Sequence, residues 1–270
     1  MNKIRIRPSS LDQFLQCSYQ WYNVFILGKM GIPNARASIG TGIHAGAEIM
    51  WQNAMKTKEK DCNETEMEQA AIEAFDKECE KGLRYDEGED YNSAVHDIRR
   101  GVGTFIDDIV PYTDIPLAVE QRFTMELDHP LIADLSGTVD YISHNAIEDI
   151  KTSKRTPTPA NYVIQQSVYK ILAEHNGHNI QHQRIQGVVL TKAAKGTILP
   201  IEPDVELAKA AVNSLLDTTE VFSKDIVHPE VLFRGNPKYY LCSSLYCAFY
   251  PCKFVKGSAK PAQQIPAVNL

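Results

Sequence analysis

The spacing of apolar positions changes partway along the chain. Leu11, Phe14, Leu15 and Tyr22 recur at helical spacing. Ser10-Leu-Asp-Gln13 has the form of a capping box, so a first helix is expected from near Ser10, carrying Cys17 with it. Further helices are expected over residues 43–56, over residues 64–83, where the pattern is amphipathic and acidic, and over residues 93–110, ended by Pro111. After Pro116 the pattern becomes strand-like, over residues 117–127, 135–143 and 146–151, with His144-Asn145 as a tight turn between the last two. Thr158 is placed to cap a helix with Pro159 at its first position and Gly177 just past its end. Residues 184–191 and 195–201 read as strands, and residues 204–222 as a long helix.

Strands, a helix, strands and a helix behind a helical front end predict an α/β (α+β) fold, with a core sheet flanked by helices. The expected organisation is a single domain over residues 1–270: a helical part (1–115), an α/β core (116–236) and a cysteine-rich tail (237–270). No repeat or low-complexity linker interrupts it. A hydrophobic content of 43% with 23% charged residues is that of a soluble globular protein. No apolar run approaches the ~20 residues of a membrane span. The basic residues before Ser10 are followed by no apolar stretch, so no secretory signal is read and a cytoplasmic location is expected.

The net charge of −6 weighs against a nucleic-acid partner. Much of that acid falls between Glu64 and Asp90, however, and a site that holds cations and cuts a polyanion needs carboxylates too.

The chemistry concentrates in Gly137-Thr-Val-Asp140 and Glu148-Asp149-Ile150-Lys151. On a strand Asp149 and Lys151 share one face, while Glu148 and Ile150 take the other. In a hairpin Asp140 can lie beside Asp149, and two carboxylates converging with a lysine suit Mg²⁺ or Mn²⁺, which take oxygen ligands. An Asp-x-Lys triplet alone is more often a solvated strand edge with a cross-strand ion pair. Lys154 and Arg155, just after this strand, are suited to backbone phosphates or to a solvated loop.

Three more segments accompany the triplet. Gly40-Thr-Gly-Ile-His44 is a glycine-flanked lead-in to a helix with a histidine in its first turns. Gln165-Gln-Ser-Val-Tyr169 puts Gln165 and Tyr169 on one helix face, and Pro8-Ser-Ser-Leu-Asp-Gln-Phe-Leu-Gln-Cys17 is followed by Trp21-Tyr22. In this order the set resembles the RecB-type nucleases of the PD-(D/E)xK superfamily, over about Ser9 to Cys252. The resemblance implies a Mg²⁺- or Mn²⁺-dependent deoxyribonuclease, an exonuclease of DNA replication, recombination or repair. Its substrate would be DNA with a free end or a single strand. His44, Asp140, Asp149 and the Ile150 carbonyl would face the metal, with Glu120 as a supporting acid. Lys151 would orient the attacking water and stabilise the transition state, and Gln165 and Tyr169 would contact DNA or shape the site. No Gly-x-x-x-x-Gly-Lys-[Ser/Thr] segment is present, so a helicase or recombination partner would be a separate chain. The competing classes are a DNA-binding module without catalysis and a metal-stabilised structural or interaction protein.

Six cysteines are present. Cys62 and Cys79 fall on the acidic helical stretch and read as ordinary thiols. A subset of RecB-type nucleases holds a [4Fe–4S] cluster with one cysteine ahead of the core and three behind it, and Cys17, Cys242, Cys247 and Cys252 have that layout. The usual Cys-x-x-Cys pair is replaced here by two four-residue gaps. A Zn²⁺ site, or free thiols in an aromatic tail of Tyr239, Tyr240, Tyr246, Phe249 and Tyr250, are the alternatives.

Overall fold

A computed structural model describes residues 3–239, 241–243, 247 and 249–255; Tyr240 and Tyr246 of the aromatic tail lie outside the described residues. Its centre is a six-stranded mixed sheet. The strands are β1 (Ile4–Ile6), β2 (Ala118–Glu126), β3 (Ile132–Ser143), β4 (Ala146–Ser153), β5 (His182–Val189) and β6 (Lys195–Pro200). They run in the order β1-β3-β4-β5-β6, and β2 lies along β3 as well. The β4–β5 pair is parallel, so the chain must cross over between them, and it does so through α6 (Val163–His175).

Helices cover both faces. On one side α3 (Ala35–Thr57), α4 (Glu64–Cys79) and α5 (Tyr91–Asp108) bury Ile43, Trp51, Phe75, Ile98 and Phe105 against Tyr141, Ile150 and Val188 of the sheet. On the other, α1 (Pro8–Gln16), α2 (Ser18–Trp21), α6 and α7 (Val205–Ser223) bury Leu11, Trp21, Leu172 and Leu215 against Leu135, Val139 and Ile147. A last short helix, α8 (Pro229–Leu232), brings Phe233 beneath Trp21 and Tyr22. Among the described residues no helix is long and apolar enough to cross a membrane.

The helical front end departs from the sequence reading at its first strand, in α1 and in α3. A three-residue strand, β1, precedes the first helix and pairs in parallel with β3; so short a strand leaves no periodic trace. α1 starts at Pro8 rather than Ser10, because a proline at the first position loses no amide bond there. The Ser10 hydroxyl turns back onto the Arg7 backbone, accepting from its N–H at 2.9 Å and donating to its carbonyl at 2.8 Å. At Cys17 the backbone leaves the helical region (φ −156°, ψ 87°), so Trp21 and Tyr22 do not continue α1.

The third difference bears on function. α3 begins at Ala35, where the Asn34 side chain accepts from the Arg36 amide at 2.8 Å, so His44 lies well inside a 23-residue helix. Its glycines mimic a helix start because they lower propensity, but their role is close packing. A Cβ at Gly42 would stand 2.6 Å from the Ala71 carbonyl oxygen, and one at Gly46 would stand 2.7 Å from that of Met67. Since backbone carbonyls cannot rotate aside, Gly42→Ala is expected to lower stability by about 1–3 kcal/mol, read as a shifted denaturation midpoint. An unchanged midpoint would mean that α4 can move away freely.

Candidate active site

The β3–β4 hairpin pairs Ser143 with Ala146, Ile142 with Ile147 and Tyr141 with Glu148, and there the ladder stops. One residue further the Ile150 amide donates to Asp140 Oδ2 at 2.7 Å, so a side-chain carboxylate replaces the backbone acceptor. The strands therefore fork with Asp140 on one arm and Asp149 on the other. Both are buried, at 8% and 2% exposure. Lys151, two residues on from Asp149, brings Nζ to 2.5 Å from Asp149 Oδ2. From α3 the half-buried His44 places Nδ1 3.4 Å from Asp140 Oδ2. Four residues from three elements thus converge on one fork.

Burial raises the Asp149 carboxyl to about 6; the Asp140 charge adds to the rise, and Lys151 and His44 oppose it. For Lys151, burial favours loss of the proton, but the carboxylates of Asp149 and Asp140 outweigh it and the ammonium is held firmly. The result is a buried site with two acids, an imidazole and one cation. Its oxygen-rich donor set suits a hard divalent cation. Among the described residues, no three His, Cys, Asp or Glu side chains already meet as an ion cage; Asp149 is drawn onto Lys151 instead.

Gln165 and Tyr169, one turn apart on α6, are buried beside this fork. The phenol is pushed up to about 12 by burial and then by the Asp149 charge, against Lys151 and a hydrogen bond with Gln165. The Tyr162 ring lies 6.0 Å from Lys151 Nζ. Glu120, on β2, has a left-handed backbone (φ 51°), and the β2–β3 ladder skips it opposite Asp140. Such a conformation is costly for a residue with a side chain. Its carboxyl is raised to about 7 by lost hydration and by the charges of Asp140, Glu48 and Asp149.

Two acids at this site escape the sequence reading. Glu48 stands one helical turn beyond His44, and that spacing was the available signal. Asp12 of α1, whose carboxyl burial raises to about 6 while Lys151 lowers it, lies within electrostatic range of that lysine. Nothing in Leu11-Asp12-Gln13 marks it in advance.

Other candidates are engaged elsewhere. Lys154 is held by Glu89 at 2.8 Å, which also pairs with Arg36, and Arg155 is exposed on the following loop. Glu148 faces the opposite side, where it is 1% exposed; Gln186 donates to it at 2.7 Å and Arg184 lies 3.4 Å away.

The tail folds back on the break between α1 and α2. The Arg234 amide donates to Ser18 Oγ at 2.9 Å, and the Phe254 and Tyr19 rings meet edge to face at 5.0 Å. Burial raises the Cys247 thiol, and Cys17, Cys242 and Cys252 add to the rise; burial likewise raises Cys242, with Cys252 and Cys17 adding to it. The four thiols thus lie within electrostatic range of one another, but among the described residues they do not meet as a group that could hold a metal ion. Cys62 and Cys79 are apart from them, near the Lys60 carbonyl and the Tyr85 hydroxyl.

A family model for the PD-(D/E)XK nuclease superfamily matches residues 5–252. Among solved structures, one described as "Putative exonuclease" from Eubacterium rectale aligns with a TM-score of 0.62 at 14% identity, over 86% of this chain and 85% of that one. That likeness is one of fold. The structure of SSO0001 aligns over 82% of this chain and 93% of its own at 11% identity, with a TM-score of 0.27, too low to bear on the fold. No curated protein matches the chain.

Proposed function

The chain belongs to the PD-(D/E)XK nuclease superfamily, and on that premise we propose that it is a Mg²⁺- or Mn²⁺-dependent deoxyribonuclease working from DNA ends, as one nuclease unit, in replication, recombination or repair. The observation that carries this reading is the fork at which Asp140, Asp149, Lys151 and His44 meet. Asp140, Asp149, His44 and the Ile150 carbonyl would hold the ion, with Glu120 and Glu48 beside them. When bound, a divalent cation supplies Lewis acidity and makes water more acidic. The protein's own part is positioning and charge. The Ile150 amide fixes the Asp140 carboxylate, and Asp149 with Asp140 keeps Lys151 protonated, so an ammonium faces the phosphoryl oxygens as they gain charge. Tyr169, hydrogen-bonded with Gln165, is buried within electrostatic range of the lysine. End-labelled single- and double-stranded DNA, with and without Mg²⁺ or Mn²⁺, tests the proposal. Absence of ion-dependent cleavage of either substrate would overturn it.

For the cysteines we propose one shared metal site, a [4Fe–4S] cluster, since four thiolates are the usual ligand set and the folded tail brings Cys242, Cys247 and Cys252 within electrostatic range of Cys17. Cys17 and the tail cysteines are 225 or more positions apart in the chain, so a shared metal would tie its ends together and stabilise the folded form. Cys17→Ser is expected to lose the metal and lower the melting temperature. Iron and sulfide analysis with a visible spectrum, after anaerobic purification, checks this. A colourless wild-type protein without iron would exclude the cluster and leave Zn²⁺ or free thiols.

A further inference from the structure

We propose that the groove between the start of α1 and the exposed face of β2 is the path of the DNA backbone into the active site, with Arg5, Arg7 and Arg122 as its phosphate contacts. The inference rests on the nuclease reading and adds the surface on which the substrate lies. The three arginines come from three segments: Arg5 from β1, Arg7 from the cap of α1 and Arg122 from β2, where it sits opposite Thr138. All three are exposed, and together with Gly137, Thr138 and Tyr169 they line one open groove. In a chain with net charge −6, such a convergence is not the ordinary state of the surface.

Two of the three charges are also unpaired. Arg5 shares its guanidinium with Asp134 at 3.2 Å. Among the described residues, neither Arg7 nor Arg122 has a carboxylate at ion-pair distance. By contrast Lys154, the lysine the sequence offers for phosphates, is already neutralised by Glu89. The first residues of α1 border the same groove, adding the positive end of a helix to the arginines.

The groove leads to the chemistry. Its inner wall is Tyr169, which is close enough to Asp149 and Lys151 to feel both charges. Two residues along β2 from Arg122 stands Glu120, at the ladder position opposite Asp140. Gly137 lets the floor close: a Cβ there would stand 2.7 Å from the Tyr169 ring and 3.0 Å from the Pro8 ring. The glycine of the Gly-x-x-Asp segment thus serves the groove, and its aspartate serves the site.

Phosphate contacts of this kind release counterions, so they are read in the salt dependence of binding. The test is fluorescence anisotropy of an end-labelled oligothymidylate across a salt series in EDTA, with wild type and Arg7→Ala/Arg122→Ala. The expected result is weaker binding and a log K against log[salt] slope smaller by about 1.4, or ~0.7 for each arginine. In cleavage the loss should appear in KM more than in kcat, and Arg→Lys at both positions should restore most of the slope. If the double variant does not fold, Arg122→Gln alone, on the exposed strand face, should reduce the slope by about 0.7. An unchanged slope and affinity in a folded variant, beside a wild type that binds and cleaves, overturns the groove and leaves the nuclease reading standing. A wild type that cleaves no DNA with either ion overturns the nuclease reading itself, and the groove with it.

Discussion

Asp149→Asn and Asp140→Ala are each expected to reduce cleavage by roughly a thousandfold or more while leaving a folded protein, whereas Glu148→Gln is expected to retain activity in the folded fraction. The difference follows from strand alternation and from what each carboxylate meets. Asp149 lies at the fork with Asp140, His44 and Lys151. Glu148, one residue earlier, is turned to Gln186 and Arg184, so its loss should be felt in stability. The stability of the Asn variant is a second readout with a definite sign. Burial raises the Asp149 carboxyl from 3.8 to about 6 in the folded state, so the folded form binds a proton there that the unfolded form has already released. The stabilisation this gives at low pH is lost as the pH rises through about 6, and above it the buried charge is a net cost in the absence of metal. Asp149→Asn removes that charge, so without metal at pH 7.5 it should melt no lower than wild type. It should also lose the rise in melting temperature that Mn²⁺ gives wild type. Melting curves with EDTA and with Mn²⁺ check both statements. Equal loss of turnover in folded Glu148→Gln would show that the two strand faces have been interchanged.

How much of this was legible beforehand depended on whether an element's signal was local. The hairpin from Ile132 to Ser153 announces itself through alternation and a turn, and with it come Asp140, Asp149 and Lys151 on one side and Glu148 on the other. α7, with Asp204 as its cap and helical spacing throughout, is equally plain. β1 is three residues long and exists because β3 offers it an edge. The true start of α3 is hidden because Gly40, Gly42 and Gly46 answer to α4 and the sheet, not to helix propensity. At the site, Asp12 reaches Lys151 only through the packing of α1 over the sheet, and Glu120 acquires its left-handed backbone opposite Asp140. Two elements around the fork, α1 and β2, thus place their acids by tertiary contact, where periodicity has nothing to report.

The same dependence on surroundings governs the lysine. Lys151→Ala is expected to lower kcat by a factor of about 10²–10³, ~3–4 kcal/mol of transition-state stabilisation, with a smaller change in DNA affinity. Its Nζ is 2.5 Å from the buried Asp149 and 6.0 Å from the Tyr162 ring, and its side chain is 26% exposed, so water screens its charge only in part. Burial alone would strip the proton, but Asp149 and Asp140 hold it on. An ammonium so placed is of most use when negative charge develops on the phosphoryl group, and of less use to a bound ground state whose phosphates are already met by the arginine groove. The stability readout has the opposite sign from that of Asp149→Asn: removing the lysine leaves two buried carboxylates facing each other, so Lys151→Ala should melt lower than wild type in EDTA and gain more from Mn²⁺. Lys151→Arg should not restore turnover, since a planar guanidinium does not fit the space of a point-charge ammonium beside Asp149. Single-turnover cleavage and anisotropy on the same oligonucleotide separate the two effects. Wild-type turnover with weakened binding would make Lys151 a phosphate contact and move the transition-state charge to another group.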